Sequence, residues 1–66
     1  MKNDLKKWRQ FHDFTQEQLA ISIGVSRQTI NSIEKGRYIP STLLALKIAA
    51  LFDKKVEEIF ELEVGD

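Results

Sequence analysis

Cysteine is absent from this chain of 66 residues, and histidine occurs only once. No disulfide can therefore stabilise the fold, no thiolate can bind zinc, and a single imidazole cannot form a metal site. No stretch approaches the ~20 apolar residues that a membrane-spanning helix needs. The segment "MKNDLKKWRQ" is too charged for a signal peptide. We therefore expect a cytoplasmic protein with no membrane contact, no metal and no cofactor.

The formal net charge is zero, because ten basic and ten acidic residues cancel. Their distribution is nevertheless uneven. Residues 1–37 hold seven basic and four acidic residues, a net charge of +3, and residues 38–66 hold three basic and six acidic residues, a net charge of −3. A basic front half would meet phosphate while an acidic tail faces away from it. A drift of surface charge without function explains the numbers equally well.

A chain of this length forms one domain with one small core, so residues 1–66 are treated as a single domain. Such a domain buries only about 60% of its unfolded surface, so stability must come from helix packing or from a second subunit. Hydrophobic periodicity predicts five short helices, at about residues 4–11, 15–23, 27–35, 41–52 and 56–60. Phe60, Leu62 and Val64 then alternate with acidic residues, which is the period of a strand. The predicted fold class is all-α, with five helices and the option of a short C-terminal strand.

A tight joint connects the second and third helices. Thr15 and Gln18 fit a capping box at the start of the second helix, and Gly24 fits its C-terminal end. Only "GVS" separates this helix from the third, which Ser26 can cap. A three-residue joint that contains glycine is the turn of a helix-turn-helix motif, which we place at about residues 15–35.

The third helix carries apolar side chains on one side and long polar side chains on the other. Ile30 and Ile33 share the first side at 100° per residue. The polar side holds Arg27, Gln28, Asn31, Ser32 and Lys35. Arginine suits the two acceptors of guanine, whereas Gln and Asn suit the donor and acceptor of adenine. This side is therefore a candidate for reading base edges in a major groove, and an ordinary solvated face is the alternative.

Phosphate contacts are expected on both borders of this polar side. The second helix begins with Thr15 and Gln16, where unpaired backbone N–H groups and the positive end of the helix dipole can bind an anion. Lys35 and Arg37 flank the joint after the third helix and add positive charge there.

The stretch "TQEQLAISIGVSRQTINSIEKGRYIPS" resembles the Cro and phage-repressor type of helix-turn-helix family. The match consists of Thr-Gln, Leu-Ala, Gly, an apolar residue before Ser-Arg, Ile, Ile-Glu, Gly and Pro at the family's intervals. The segments "ALKIAALF" and "EEIF" match as well, so the resemblance covers about residues 4–60. Within the family, the chain is most similar to the very short dimeric repressors, such as the cytolysin operon repressor.

The resemblance implies a role for each residue that matches the family pattern. Bases would be read by Ser26, Arg27, Gln28, Asn31 and Ser32. Phosphates would be contacted by Gln16, Lys35, Arg37 and Tyr38, beside the helix start at Thr15. Gln16 would also brace the third helix, and Arg9 and Glu34 would form a partly buried ion pair. Asp13 stands where the family often has glycine, and Ile21 stands where it prefers a polar residue.

The tail segment, at about residues 52–66, carries an apolar row that indicates a dimer seam. Its members would be Phe52, Ile59, Phe60, Leu62 and Val64. The alternative is a tail that folds back on its own core. The aromatic residues Trp8, Phe11 and Phe14, around a helix end, suit the core better than the stacking of single-stranded bases.

These features predict a sequence-specific transcriptional regulator that binds double-stranded DNA. We expect a homodimeric repressor that reads an inverted-repeat operator, with an additional regulatory protein as an optional partner of the acidic tail. A DNA-binding antitoxin and a protein-interaction module of the same fold are the alternatives. An enzyme is not expected, because His12 and Asp13 have no nucleophile or oxyanion donors to accompany them.

Overall fold

Five helices and two very short strands make up the chain, and the computed structural model describes all of residues 1–66. The helices are α1 (Leu5–Phe11), α2 (Gln16–Ile23), α3 (Arg27–Glu34), α4 (Thr42–Phe52) and α5 (Val56–Ile59). The strands are β1 (Lys2–Asn3) and β2 (Phe60–Glu61). All five predicted helices are present, and their ends differ by no more than one residue from the prediction. None of them is long and apolar enough to cross a membrane.

Side-chain caps fix the two ends of the helix-turn-helix joint. The Thr15 hydroxyl accepts from the backbone N–H of Gln18 at 3.0 Å, and the Gln18 amide oxygen accepts from the backbone N–H of Thr15 at 2.9 Å. These two bonds form the predicted capping box. Gly24 ends α2 with a φ of 78°, a left-handed conformation that glycine adopts without strain. The Ser26 hydroxyl accepts from the backbone N–H of Thr29 at 3.1 Å and starts α3.

Two aspartates adopt the left-handed conformation that glycine usually provides. Asp13 has a φ of 60° in the joint between α1 and α2, and Asp53 has a φ of 53° at the end of α4. Aspartate tolerates this region better than most residues because its short polar side chain can bond locally. The left-handed joint at Asp13 explains why the family often has glycine at this position, and the left-handed conformation at Asp53 was not predicted.

Twelve buried apolar side chains form one core, to which every helix contributes. They are Leu5, Leu19, Ala20, Ile23, Ile30, Ile33, Leu44, Ile48, Ala49, Phe52, Ile59 and Phe60. Trp8, Phe14 and Val25 pack against this cluster from its edge. Burial of one large apolar side chain stabilises a fold by about 1.5–3 kcal/mol, so this cluster is the main source of stability.

The predicted dimer seam needs a correction, because its central residues lie inside a single chain. The buried members, with exposed fractions of 2%, 2% and 6%, are Phe52, Ile59 and Phe60. The His12 ring stacks on the Phe52 ring with centroids 5.0 Å apart, which covers this end of the core. Of the five predicted seam residues, only Leu62 and Val64 reach the surface. The end of α4, α5 and β2 therefore fold back on the chain's own core.

One aromatic residue of α1 also departs from the prediction. Phe11 is 72% exposed, so its predicted place in the core was wrong. At 100° per residue, Phe11 lies about 120° around α1 from the buried Leu5. The half-buried Trp8 stays at the edge of the core, with the ammonium groups of Lys7 and Lys54 lying 5.0 and 4.6 Å from its ring centroid. Cations at this distance are attracted to the ring face.

The strands β1 and β2 pair antiparallel and bring the N-terminal and C-terminal segments together. Lys2 lies opposite Glu61, and Asn3 lies opposite Phe60. The C-terminal strand agrees with the prediction. Its partner was not predicted, because two residues are too few to show a period.

Ionic contacts surround this strand pair. The Met1 amino group lies 3.2 Å from a carboxylate oxygen of Glu63 and 3.1 Å from one of Asp66. Hydrogen bonds to Asp66 and then to Glu63 raise the pKa of the amino group. The backbone N–H of Glu63 donates to Asp66 at 2.7 Å, and this bond, with the amino group, lowers the pKa of the Asp66 carboxyl. Both groups are therefore charged at neutral pH.

A buried ion pair joins α1 to the C-terminal end of α3. The Arg9 Nε donates to Glu34 Oε2 at 2.6 Å, and Nη2 donates to Glu34 Oε1 at 3.2 Å. The Arg9 Nη1 donates to the carbonyl oxygen of Phe14 at 2.8 Å, so the guanidinium also holds the joint before α2. The Arg9 and Glu34 side chains are only 10% and 5% exposed. The ion pair that the family resemblance implies is thus present, and it fixes three segments relative to one another.

We predict that Arg9→Met destabilises the fold more than the double variant Arg9→Met/Glu34→Leu does. The single change leaves the Glu34 carboxylate buried without its cation, which typically costs about 3–5 kcal/mol. Replacing both partners by apolar side chains removes that unpaired charge. Urea unfolding followed by circular dichroism measures the free energy of unfolding of each variant, with the exposed Glu17→Leu as control. Equal losses in the single and double variants would contradict the role given to the pair.

Candidate nucleic-acid interface

The helix α3 lies at the surface with its apolar side turned inward. Ile30 and Ile33 are fully buried, and α3 packs against α1 and α2. The opposite side faces solvent. It holds the five predicted base-reading residues, Ser26, Arg27, Gln28, Asn31 and Ser32. The structure therefore brings the predicted reading residues together on one accessible face.

The accessibility of this face is greatest at its N-terminal end. Arg27 and Gln28 are exposed, whereas Asn31 and Ser32, one turn later, are half-buried. The Ser26 hydroxyl is already used in the cap of α3, where the Thr29 hydroxyl also lies 3.0 Å away. Arg27 and Gln28 are thus the side chains most able to reach a base edge. In helix-turn-helix docking it is the N-terminal part of the recognition helix that contacts the bases.

A hydrogen-bond network connects the start of α2 with the reading face. The Gln16 Nε2 donates to Asn31 Oδ1 at 3.3 Å and to Glu34 Oε1 at 3.1 Å. An amide nitrogen carries two hydrogens, so none is left for a phosphate in this arrangement. The Gln16 side chain therefore braces α3. Because Asn31 accepts through its oxygen, its NH₂ group is the part that is left to donate to a base.

Backbone donors at the start of α2 remain open to an anion. The Thr15 hydroxyl satisfies the N–H of Gln18, and the N–H of Leu19 donates to the Thr15 carbonyl oxygen. The first N–H groups of the helix, on Gln16 and Glu17, have no carbonyl partner one turn earlier. They lie at the positive end of the helix dipole, which suits a phosphate oxygen. The Glu17 carboxylate in the same turn reduces that positive potential.

The predicted phosphate-binding residues after α3 are exposed, and they lie on two different borders. Tyr38 lines a shallow hollow together with Ser26, Gln28, Thr29 and Ser32, so it adjoins the reading face. Thr29 had not been predicted as a member of this surface. Thr29 belongs to this surface because it lies three residues after Ser26, which places both hydroxyls on one side of the helix start.

Lys35 lies on the other border, next to the acidic tail. It lines a polar hollow together with Glu57, Glu58, Glu61 and Glu63. The tail therefore does not face wholly away from the positively charged surface, contrary to what the charge distribution indicated. Carboxylates at this end of α3 repel phosphates. They favour an approach in which the N-terminal end of α3 enters the groove.

Asn3 is a structural part of this interface that sequence reasoning missed. Its amide nitrogen donates to the carbonyl oxygen of Ile33 at 2.9 Å, and its amide oxygen accepts from the backbone N–H of Leu5 at 3.1 Å. One side chain thus supports the start of α1 and the end of α3. Asparagine is a favoured residue at helix starts, so its place just before the first helix was the available signal.

Comparison with known proteins assigns the chain to a family. The helix-turn-helix family model matches residues 5–59. An HTH-type transcriptional regulator of Methanocaldococcus jannaschii is 59% identical over 63 residues, which cover 96% of either chain. The restriction-modification controller protein C.AhdI from Aeromonas hydrophila has a crystal structure with a TM-score of 0.76 at 30% identity, over 85% of either chain.

A solution structure of the SOS-response transcriptional repressor LexA from Eubacterium rectale gives a TM-score of 0.82 at 30% identity. The match covers 96% of this chain and 67% of that one. Sequence, structure and the geometry of α2 and α3 agree with the resemblance to the Cro and phage-repressor type. This chain belongs to the helix-turn-helix family of transcriptional regulators.

Proposed function

We propose that this DNA-binding transcriptional regulator acts as a homodimeric repressor that reads an inverted-repeat operator. The observation that carries the proposal is the exposed N-terminal end of α3, where Arg27 and Gln28 extend into solvent beside a helix start suited to phosphate. Similarity to a transcriptional repressor and to a controller protein supports the regulatory role.

Base reading falls first to the two exposed side chains of α3. Arg27 offers a planar pair of donors to guanine, and Gln28 offers a donor and an acceptor to adenine. Each good bidentate contact contributes about 1–3 kcal/mol of discrimination between base pairs. Asn31 and Ser32 lie one turn further along and approach the adjacent bases, Asn31 through its NH₂ group. Ser26 caps the helix start, and its exposed side chain is available to a phosphate or a base.

Phosphate contacts position this helix in the groove without specifying sequence. On one border they come from the start of α2, through Thr15 and the backbone N–H groups of Gln16 and Glu17. Further contacts come from the exposed residues after α3, with Tyr38 beside Ser26 and Gln28 and Lys35 next to the acidic tail. Arg37, between them in the chain, is exposed as well. These separate anchoring points around α3 would fix its register along the duplex.

The size of the chain bears on the need for two copies. Its longest dimension is 32 Å and the other two are 23 and 20 Å, so one copy presents a single recognition helix to about one half-site. Helix-turn-helix dimers read two half-sites about 34 Å apart. Two chains related by a two-fold axis would match an inverted repeat of this spacing. Occupation of promoter DNA by the dimer would then block polymerase.

A selection from a random duplex pool at near-physiological salt tests sequence reading directly. We expect enrichment of an inverted repeat by the wild-type chain and loss of that enrichment in Arg27→Ala/Gln28→Ala. The substitutions remove exposed side chains, so the fold should be unchanged, and thermal unfolding checks this. Gln10→Ala, at another exposed position, is the matched control and should select the wild-type motif. Binding without any enriched motif would contradict the proposal.

The salt dependence of binding tests the phosphate role of Lys35. We expect Lys35→Ala to weaken binding to all duplexes alike and to reduce the slope of log affinity against log salt by about one. Arg27→Ala should instead relax the preference at one base pair, with a loss of about 1–3 kcal/mol on the selected site. Lys54→Ala, which removes an ammonium group that lies over the Trp8 ring, should leave the slope unchanged. Identical behaviour of Lys35→Ala and Arg27→Ala on all sequences would refute the separation of roles.

Gln16→Ala tests the brace between α2 and α3. Loss of its two hydrogen bonds should lower the free energy of unfolding by about 0.5–1.5 kcal/mol. It should also blur the preference at the base pair contacted by Asn31, because that side chain loses its fixed orientation. The preference at the Arg27 contact should persist. A competition assay with single-base variants of the selected site measures both effects, and an equal loss at every position would argue against the brace.

A further inference from the structure

The turn that follows α3 holds two of the proposed phosphate-binding residues in a defined backbone conformation. The backbone N–H of Gly36 donates to the carbonyl oxygen of Ile33 at 2.9 Å. The backbone N–H of Arg37 donates to the carbonyl oxygen of Ser32 at 2.9 Å. With the φ of 72° at Gly36, these bonds form a Schellman motif. Lys35 and Arg37 lie on either side of the glycine, so the motif sets the direction in which each side chain leaves the backbone.

A side chain from outside the helix also bonds to this motif. The Asn3 amide nitrogen donates to the Ile33 carbonyl oxygen at 2.9 Å, and the same oxygen accepts from the N–H of Gly36. A carbonyl oxygen has two lone pairs, so both are used here. Asn3 is half-buried and lies 30 residues from Ile33 in the sequence. This long-range bond therefore holds the turn against the N-terminal segment of the chain.

The Asn3 side chain is itself held by the segments around it. Its amide oxygen accepts from the backbone N–H of Leu5 at 3.1 Å, and an amide turned the other way round would lose both bonds. Asn3 lies opposite Phe60 in the pair of β1 with β2. The next backbone N–H, that of Asp4, donates to the carbonyl oxygen of Ile59 at 2.8 Å. Backbone and amide oxygen are thus anchored, and the amide nitrogen acts on the turn.

We propose that Asn3 is a positioning residue for the phosphate contacts of Lys35 and Arg37. The inference rests on the proposed mode of DNA binding and adds a residue of the N-terminal segment on which that binding depends. Asn3 would not touch DNA. It would hold the Schellman motif in the conformation from which both cationic side chains reach the duplex. Long side chains lose rotational freedom on binding, and a mobile turn beneath them would add to that cost.

This brace acts at the opposite end of α3 from the exposed base-reading residues. Arg27 and Gln28 begin the helix, which the Ser26 hydroxyl caps. The eight residues of α3 make about two turns, so a loosened last turn leaves the N-terminal hydrogen bonds in place. Removal of the Asn3 donor should therefore weaken the phosphate contacts while the choice of bases is kept.

Asn3→Ser tests the brace, because it removes the donor to Ile33 while the serine hydroxyl can still accept from the N–H of Leu5. We expect affinity for the selected operator and for an unrelated duplex to fall alike, by about two- to tenfold, the range of one hydrogen bond. The slope of log affinity against log salt should become shallower. Ser22→Ala, which removes a 2.9 Å bond to the carbonyl oxygen of Gln18, is the matched control and should change neither quantity.

A double-mutant cycle separates positioning from a general loss of stability. In the background of Lys35→Ala/Arg37→Ala, Asn3→Ser should cost no further affinity, because the contacts that it supports are gone. In the background of Arg27→Ala, it should cost the same factor as in the wild-type chain. Thermal unfolding followed by circular dichroism checks that every variant is folded at the temperature of the assay.

Hydrogen exchange followed by NMR examines the turn without DNA. The N–H groups of Gly36 and Arg37 both donate within the Schellman motif, so we expect them to exchange about two- to tenfold faster in Asn3→Ser. The N–H of Leu5, which keeps an acceptor in the serine, is the internal control and should exchange at an unchanged rate.

Each outcome decides the inference. Faster exchange at the turn, with an affinity loss that vanishes in the Lys35→Ala/Arg37→Ala background, supports it. Unchanged exchange, unchanged affinity, a loss confined to one base pair, or a loss of the same factor in both backgrounds would overturn it. A wild-type chain that binds duplexes without selecting a motif would refute the proposed function, and the effect of Asn3→Ser on its salt slope would still decide the positioning role. A chain that binds no duplex overturns both.

Discussion

The orientation of the recognition helix depends on one buried carboxylate, that of Glu34. It accepts two hydrogen bonds from Arg9 of α1 and one from Gln16 of α2. Apolar packing is non-directional, so the core alone would leave α3 free to rotate or slide by small amounts. The buried carboxylate restricts such movements, because each hydrogen-bond donor that moved away would leave its charge uncompensated. The hydrogen bonds of this one side chain therefore fix the relative positions of three helices. They also fix the direction in which the outer face of α3 points.

A feature of this structure can be predicted from the sequence when the residues that determine it are close together in the chain. The capping box at Thr15, the end of α2 at Gly24 and the start of α3 at Ser26 depend on residues within four positions, and the sequence predicts all three. The burial of Phe52 and the pairing of β1 with β2 depend on segments far apart in the chain, so periodicity within a segment does not specify them. Exposed Phe11 illustrates the same limit, since its apolar character alone predicted burial. The exposed polar side of α3 was predictable because it needs only one helix and its period. The brace by Gln16 was expected from the family resemblance alone, and the bonds from Asn3 required the packed structure.

Electrostatics act locally in this molecule. With no net charge, the whole chain exerts little long-range attraction on a polyanion. Local differences in electrostatic potential remain. The potential is positive around Arg27 and Arg37, and it is negative where Glu57 and Glu61 share a hollow with Lys35. At physiological ionic strength such differences are felt over about 8 Å. In the proposed complex, binding would therefore rely on the fit of α3 and its borders, and we expect weak nonspecific binding to DNA.

The two most exposed of the proposed base-reading side chains, Arg27 and Gln28, take no part in holding α3 in place. The hydrogen-bond network that holds the helix ends at Asn31, and Arg27 and Gln28 stand outside it in solvent. Mutations at these two positions meet no packing constraint, so substitutions there are nearly free to accumulate. Descendants of one gene could then diverge toward different operators while keeping the same folded scaffold. In the proposed mode of binding, duplicated copies of this small domain would acquire different operators without losing stability, so they would regulate separate genes.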